Sequence, residues 1–252
     1  EEMNEAAPEW SGKTTELPEF KNNETTNKFD WYIYNEPQMK FFANFVNKTL
    51  TAQDEKLMSD KNVTAENIAI TEQTTIYLMN DLDLGARFDE NGKLTLGVEW
   101  VPVGKDTTNK GTFEGNNHYI KGVYVNSDTK FCGIFGNTNT IQNLTVKNSY
   151  IEGSACTGGI AGAVRGGKVE NCHNINTIVT MKSGTESVGG IVGQSSVNIE
   201  NCTNEGIVYI TGRNAQNRSQ AGGIVGISIG STISNCTNKG NIISGKEAGL
   251  YV

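Results

Sequence analysis

The sequence predicts an all-β fold, a parallel β-helix or solenoid of about 30-residue repeats with an N-terminal capping helix. Three observations predict it. First, Gly159-Ile160-Ala161-Gly162 leads to Glu170-Asn171-Cys172, Gly190-Ile191-Val192-Gly193 leads to Glu200-Asn201-Cys202, and Gly223-Ile224-Val225-Gly226 leads to Ser234-Asn235-Cys236. A degenerate earlier copy runs from Gly133-Ile134-Phe135-Gly136 to Asn143-Leu144, and another begins at Ala248-Gly249-Leu250. Units that repeat at such a spacing cannot bury their apolar faces alone and stack on one another. Second, each unit reads as three short β segments broken by Gly or Asn, residues that suit tight corners. In one copy these are Gly190–Gly193, Val197–Cys202 and Gly206–Ile210, which implies a roughly triangular coil. Third, all three Trp, all nine Phe and six of the eight Tyr precede residue 151. A bulky aromatic core therefore gives way to a narrow interior of Ile, Val, Ala and Cys.

In chain order, residues 1–28 are polar and acidic and read as a flexible arm. Residues 29–130 read as an N-terminal cap with the first coils, and 131–252 as the repeat solenoid. Phe29–Tyr34 is predicted as a strand. A helix follows, because Asn35 can cap it, Pro37 suits its first turn, and Met39, Phe42, Phe45 and Val46 share one face. Its expected role is to cover the open end of the coil. Residues 49–74 read as an insertion of weak helical character, and Thr75–Met79 as a returning strand. Gly206 and Gly240 fall at equivalent corners, with Asn176 there in the first copy.

Columns follow from stacking. Cys172, Cys202 and Cys236 are expected to align as small interior residues, and Asn143, Asn171, Asn201 and Asn235 to hydrogen-bond from rung to rung as an amide ladder. An interior position would keep the sequon Asn201-Cys202-Thr203 from being glycosylated.

These residues resemble the GLUG-motif repeats of bacterial surface proteins, named for a Gly-Leu-aliphatic-Gly core. The core glycines are Gly133 and Gly136, Gly159 and Gly162, Gly190 and Gly193, and Gly223 and Gly226, with Ile in place of Leu. Upstream, Asn80–Leu84, Trp100–Gly104 and Gly111–Ile120 look like the segment that commonly precedes such repeats. The resemblance implies a β-solenoid secreted to the bacterial surface, often adhesin-like. Some members are parts of IgA-specific metallopeptidases, but their HExxH zinc pattern is absent from this sequence.

The net charge of -7 argues against nucleic-acid binding, and no apolar run is long enough to span a bilayer. No cofactor or metal site is expected: the chain has no CxxC pair and only His118 and His173. Neighbours Cys172 and His173 point to opposite faces of a strand, which disfavours a dyad. The carboxylates are the remaining candidates for chemistry. Asp81 and Asp83 share a strand face and Glu170 and Glu200 stack in adjacent rungs, but Ser234 ends that ladder and no basic ladder accompanies it. No catalytic residue is assigned. The expected function is a non-catalytic, adhesin-like protein of the extracellular surface with its leader removed, binding a glycan or protein ligand. The alternatives are a carbohydrate-active β-helix enzyme, either a lyase or a glycosidase, and a passive stalk. The unfinished repeat at residues 248–252 further predicts cover of that end, by self-association or by the arm of residues 1–28.

Overall fold

The computed structural model describes residues 10–89, 92–182, 187–211 and 219–245. The chain winds as a parallel β-solenoid. One sheet runs its length through Lys28–Ile33, Thr75–Leu78, Thr112–Glu114, Ile141–Gln142, Val169–Glu170, Ile199–Glu200 and Ile233–Ser234, every neighbouring pair parallel. A second passes through Phe131–Cys132, Cys156–Gly158, Ser187–Gly189 and Gln220–Gly222. A third passes through Phe135–Thr138, Ala161–Val164, Val192–Ser195 and Val225–Ser228. The fourth holds Tyr119–Lys121, Thr145–Lys147, His173–Met181 and Thr203–Thr211.

Each full coil thus has four strand segments, where three were expected. The second glycine of each doublet and the following Ile are junctions: Gly190 and Ile191 lie between Ser187–Gly189 and Val192–Ser195. The Val197–Cys202 segment is likewise cut at Asn201, whose φ of 55° turns the chain. The corner at Gly206 also differs from the expected equivalence. Strand His173–Met181 carries one more residue than Thr203–Thr211 between the pairs Ile175↔Glu205 and Ile178↔Ile207, a bulge at Asn176.

Packing follows the register. Ile76, Phe113, Ile141, Val169 and Ile199 stack rung on rung, all fully buried. Ile134, Ile160 and Ile191 form a second buried column, and Val125, Ile151, Val179 and Val208 a third. In the last described rung the columns open, with Ile233 42% and Ile242 48% exposed. The expected start of a further repeat at Ala248–Val252 lies outside the described residues.

Helix α1, Glu36–Asn47, closes the other end. Asn35 caps it by accepting the Gln38 amide at 2.9 Å, Pro37 sits in the first turn, and Lys48 ends it at φ 58°. Met39, Phe42 and Val46 are buried, Phe45 is partly buried, and Phe41 is buried with them. An aromatic chain links this helix to the coils: Trp31 to Phe42 at 5.8 Å, Phe42 to Phe113 at 6.0 Å, and Phe113 to Phe135 at 4.9 Å between centroids. Large rings are needed because a helix does not interdigitate with a strand face as another rung does. Phe42→Ala would open a cavity at this junction. It is expected to lower stability by about 3–5 kcal/mol, read as a lower urea midpoint at unchanged slope.

Two N-terminal expectations need correction. Glu19–Asn23 is no free arm: it pairs antiparallel with Lys28–Ile33, adding an edge strand, and Phe20 stacks edge-on against Trp31 at 4.9 Å. The insertion after α1 contains a true helix, α2 (Ala52–Asp60), set by a capping box between Thr51 and Asp54.

Candidate functional site

The repeat columns come first. Asn143, Asn171, Asn201 and Asn235 all have φ between 50° and 56°, and Asn117 at 61° extends the series to an earlier coil. Asparagine is favoured because its short amide tolerates the left-handed region. These residues are corners: Asn201 and Asn235 are exposed, Asn143 and Asn171 partly buried. Their side chains are nevertheless linked where the rungs allow. Asn171 donates to Asn143 Oδ1 at 2.9 Å and to Asn117 Oδ1 at 3.2 Å, and Asn143 donates to Glu114 at 3.0 Å.

The interior amide ladder lies three residues later in each repeat. Asn174 and Asn204 are fully buried; Asn174 Nδ2 donates to Asn204 Oδ1 at 2.9 Å, and Asn204 Nδ2 to Asn238 Oδ1 at 2.8 Å. Asn204 also accepts the Gly206 amide at 3.1 Å and donates to the Gly206 carbonyl at 3.2 Å. The ladder begins where Val146 gives way to Asn174 in register, and there Asn174 Oδ1 is buried without a hydrogen-bond partner among the described residues. The signal was in the sequence: an Asn recurs two residues after each repeat Cys.

This ladder explains the second glycine of each doublet; the first meets a backbone oxygen of its own rung, as Gly189 does with Val192. A Cβ on Gly190 would lie 2.4 Å from the Asn204 carboxamide carbon and 2.2 Å from the Gly223 carbonyl oxygen. Gly159 and Gly223 face Asn174 and Asn238 in the same way, at 2.9 and 2.2 Å. The later core glycines meet backbone, for example Gly162 against the Cys132 nitrogen at 2.4 Å and Gly193 against the Thr157 nitrogen at 2.6 Å. Gly133, Gly136 and Gly226 have backbone oxygens within 2.8 Å of a Cβ position.

Cys172 and Cys202 are fully buried and Cys236 partly buried, stacked in line with Leu144 of the earlier coil. All five cysteines are unbridged. Burial pushes the Cys172 thiol up, and its hydrogen bond with Cys202 adds to this; burial also raises Cys132 and Cys236. A thiol held protonated is a poor nucleophile; Cys202 is instead shifted down, by the hydrogen bond with Cys172, and burial opposes that shift. Burial lowers the pKa of His173, whose Nε2 bonds Asn171 Oδ1 at 3.0 Å.

Three of the four candidate carboxylates, Asp81, Asp83 and Glu170, are engaged in bonds within the fold. Asp81 Oδ1 accepts the Tyr119 amide and contacts His118 Nδ1, both at 3.0 Å. Asp83 takes a bidentate pair with Arg87 at 3.0 and 2.8 Å, has Lys121 at 3.8 Å and accepts the Gly85 amide. Burial pushes the Asp83 carboxyl up, but these hydrogen bonds and charges outweigh it and hold it below the usual range. Glu170 pairs with Lys168 and lies in register with Glu200. Among the described residues no cluster of three His, Cys, Asp or Glu side chains could hold a metal ion.

A concave site lies instead at the cap. A cleft of about 600 Å3 opens between the 13–15 segment, α1, the α1–α2 connection and the loop at 101–106. Its wall is bonded internally. Asp54, fully buried, accepts Thr15 Oγ1 at 2.6 Å, Asn44 Nδ2 at 2.9 Å and the Thr51 amide at 2.8 Å. Asn47 ties α1 to the loop through the Gly104 and Lys105 amides and the Pro102 carbonyl. Three lysines, Lys13, Lys40 and Lys105, line the opening. They come from three distant segments, so no local pattern announces them.

Three likenesses to known proteins accompany this geometry. Over 121 residues, 46% of this chain, the sequence is 28% identical to halomucin of Haloquadratum walsbyi, of which the match covers 1%. A crystal structure of a Bacteroides ovatus protein described as a putative immunoglobulin A1 protease superposes with a TM-score of 0.46 at 16% identity, over 92% of this chain and 80% of that one. Residues 217–243 match the family model of the GLUG motif, the sequence signature this chain carries on its solenoid.

Proposed function

We propose that the protein is a non-catalytic, adhesin-like binding protein of the extracellular surface. The observation that carries this reading is the parallel rung-to-rung pairing that recurs from Thr75–Leu78 to Ile242–Gly245, which fixes outward side chains in rigid columns, while Asp81 and Asp83 are engaged in structural bonds. A solenoid of this kind offers a long stiff face whose corners tolerate variation. The GLUG motif and the likeness to halomucin support a surface location. No described helix is long and apolar enough to cross a membrane.

The test pairs binding with turnover. Purified protein, screened on arrays of glycans and extracellular matrix proteins, is expected to show saturable binding and to release no reducing ends or unsaturated sugars. Polysaccharide cleavage abolished by Asp81→Asn or Glu200→Gln would establish the enzyme reading instead. Absence of both binding and turnover would leave a passive stalk.

A further inference from the structure

The cap cleft holds positive charge that the fold does not use. The chain as a whole carries a net charge of -7, yet Lys13, Lys40 and Lys105 converge on one opening. Lys105 has Asp106, which also lines the opening, at 3.6 Å, an exposed contact. Lys13 and Lys40 form no ion pair among the described residues. A second carboxylate, Asp54, is occupied by Thr15, Asn44 and Thr51. Lys40 is also partly withdrawn from water, its ammonium 5.8 Å from the Trp100 ring centre; burial lowers its pKa and the Asp54 charge only partly offsets this. An ammonium in that position gains from an anionic partner that it lacks in the free protein.

The rest of the wall argues for a built site. Thr15, Asn44 and Thr51 are each tied to Asp54, and Asn47 to the Gly104 amide, so these wall residues are held without a ligand and little ordering cost attends binding. Its volume falls within the range of small-molecule sites, and the three charges sit on separate segments around it. Three lysines on separate segments can each pair with a separate anionic group carried on a polar scaffold.

We infer that this cleft binds an acidic saccharide, one carrying carboxylate or sulfate groups, through Lys13, Lys40 and Lys105. This deepens the binding-protein reading and rests on it.

Calorimetric titration of the full chain tests it with four probes: a sulfated tetrasaccharide, a trigalacturonate, a neutral tetrasaccharide and sodium sulfate. At least one acidic probe is expected to bind, the neutral one not. Raising salt from about 0.02 to about 0.2 M should weaken binding, because the lysines face solvent and become screened. Lys40→Gln should cost about tenfold or more in affinity, Lys40→Arg much less, and Lys168→Gln on the solenoid nothing. The thermal midpoint of Lys40→Gln should not fall, which separates lost binding from lost folding. Equal binding of the neutral probe, equal affinity for sulfate alone, or acidic-probe binding unchanged by Lys13→Gln, Lys40→Gln and Lys105→Gln would overturn the assignment. So would no acidic probe binding at all. A ligand from the wider array that binds a triple glutamine variant undiminished would leave the surface-binding reading intact while removing the cleft from it.

Discussion

Asn204→Ala is expected to destabilise the protein by about 3–5 kcal/mol in urea unfolding. The side chain is fully buried and makes four hydrogen bonds: from Asn174, to Asn238, and both ways with the backbone of Gly206. Truncation strands Asn174 Nδ2 and the Gly206 amide in an interior without described partners, and leaves a cavity as well. A buried polar group left unpaired costs more than the bond it made was worth. The contrast is Asn201→Ala, at an exposed corner with φ 55°, where only the left-handed backbone preference is lost. That change is expected to cost about 1 kcal/mol, and Asn201→Gly less. Equal effects at the two positions would mean that the interior ladder contributes nothing special.

Gly190→Ala carries the second large effect. The new methyl would meet the Gly223 carbonyl oxygen at 2.2 Å and the Asn204 carboxamide at 2.4 Å, one contact to the next rung and one within its own. Neither neighbour is the free end of a flexible chain. The rung must shift and the Asn ladder with it, at a cost of about 3 kcal/mol or more. Because the Gly223 contact is backbone, adding Asn204→Ala should not rescue the variant. A Gly190→Ala protein as stable as its parent would show that the doublet is free to vary and that the close approach of rungs is not what holds it to glycine.

The repeat spacing made the solenoid legible because stacking forces like residues into register, as the Ile76–Phe113–Ile141–Val169–Ile199 column shows. The capping helix was legible from Asn35, Pro37 and its apolar stripe, since these signals act locally. The Asn columns were only half legible. Asn171 and Asn174 both recur at the repeat period, and the period alone does not say which one points inward. The backbone decides: φ near 50° puts Asn171 at the turn, so the inward alternation resumes with Cys172 and Asn174. The strand at Glu19–Asn23 was hidden by its polar sequence, because an edge strand is held mainly by backbone pairing. The cleft was not legible at all, as Lys13, Lys40 and Lys105 meet only through the tertiary packing of the cap.

The rungs of the coil are joined inside by a carboxamide ladder, and the second glycine of each doublet makes room for it. Nuclear Overhauser spectra of side-chain amides on an asparagine-labelled sample test it most directly. The account predicts cross-peaks between the Asn174 and Asn204 carboxamides and between those of Asn204 and Asn238, with the buried protons of Asn174 and Asn204 exchanging slowly with solvent. Carboxamide protons at Asn174 and Asn204 that exchange as fast as that of exposed Asn201, with no contact between rungs, would contradict it.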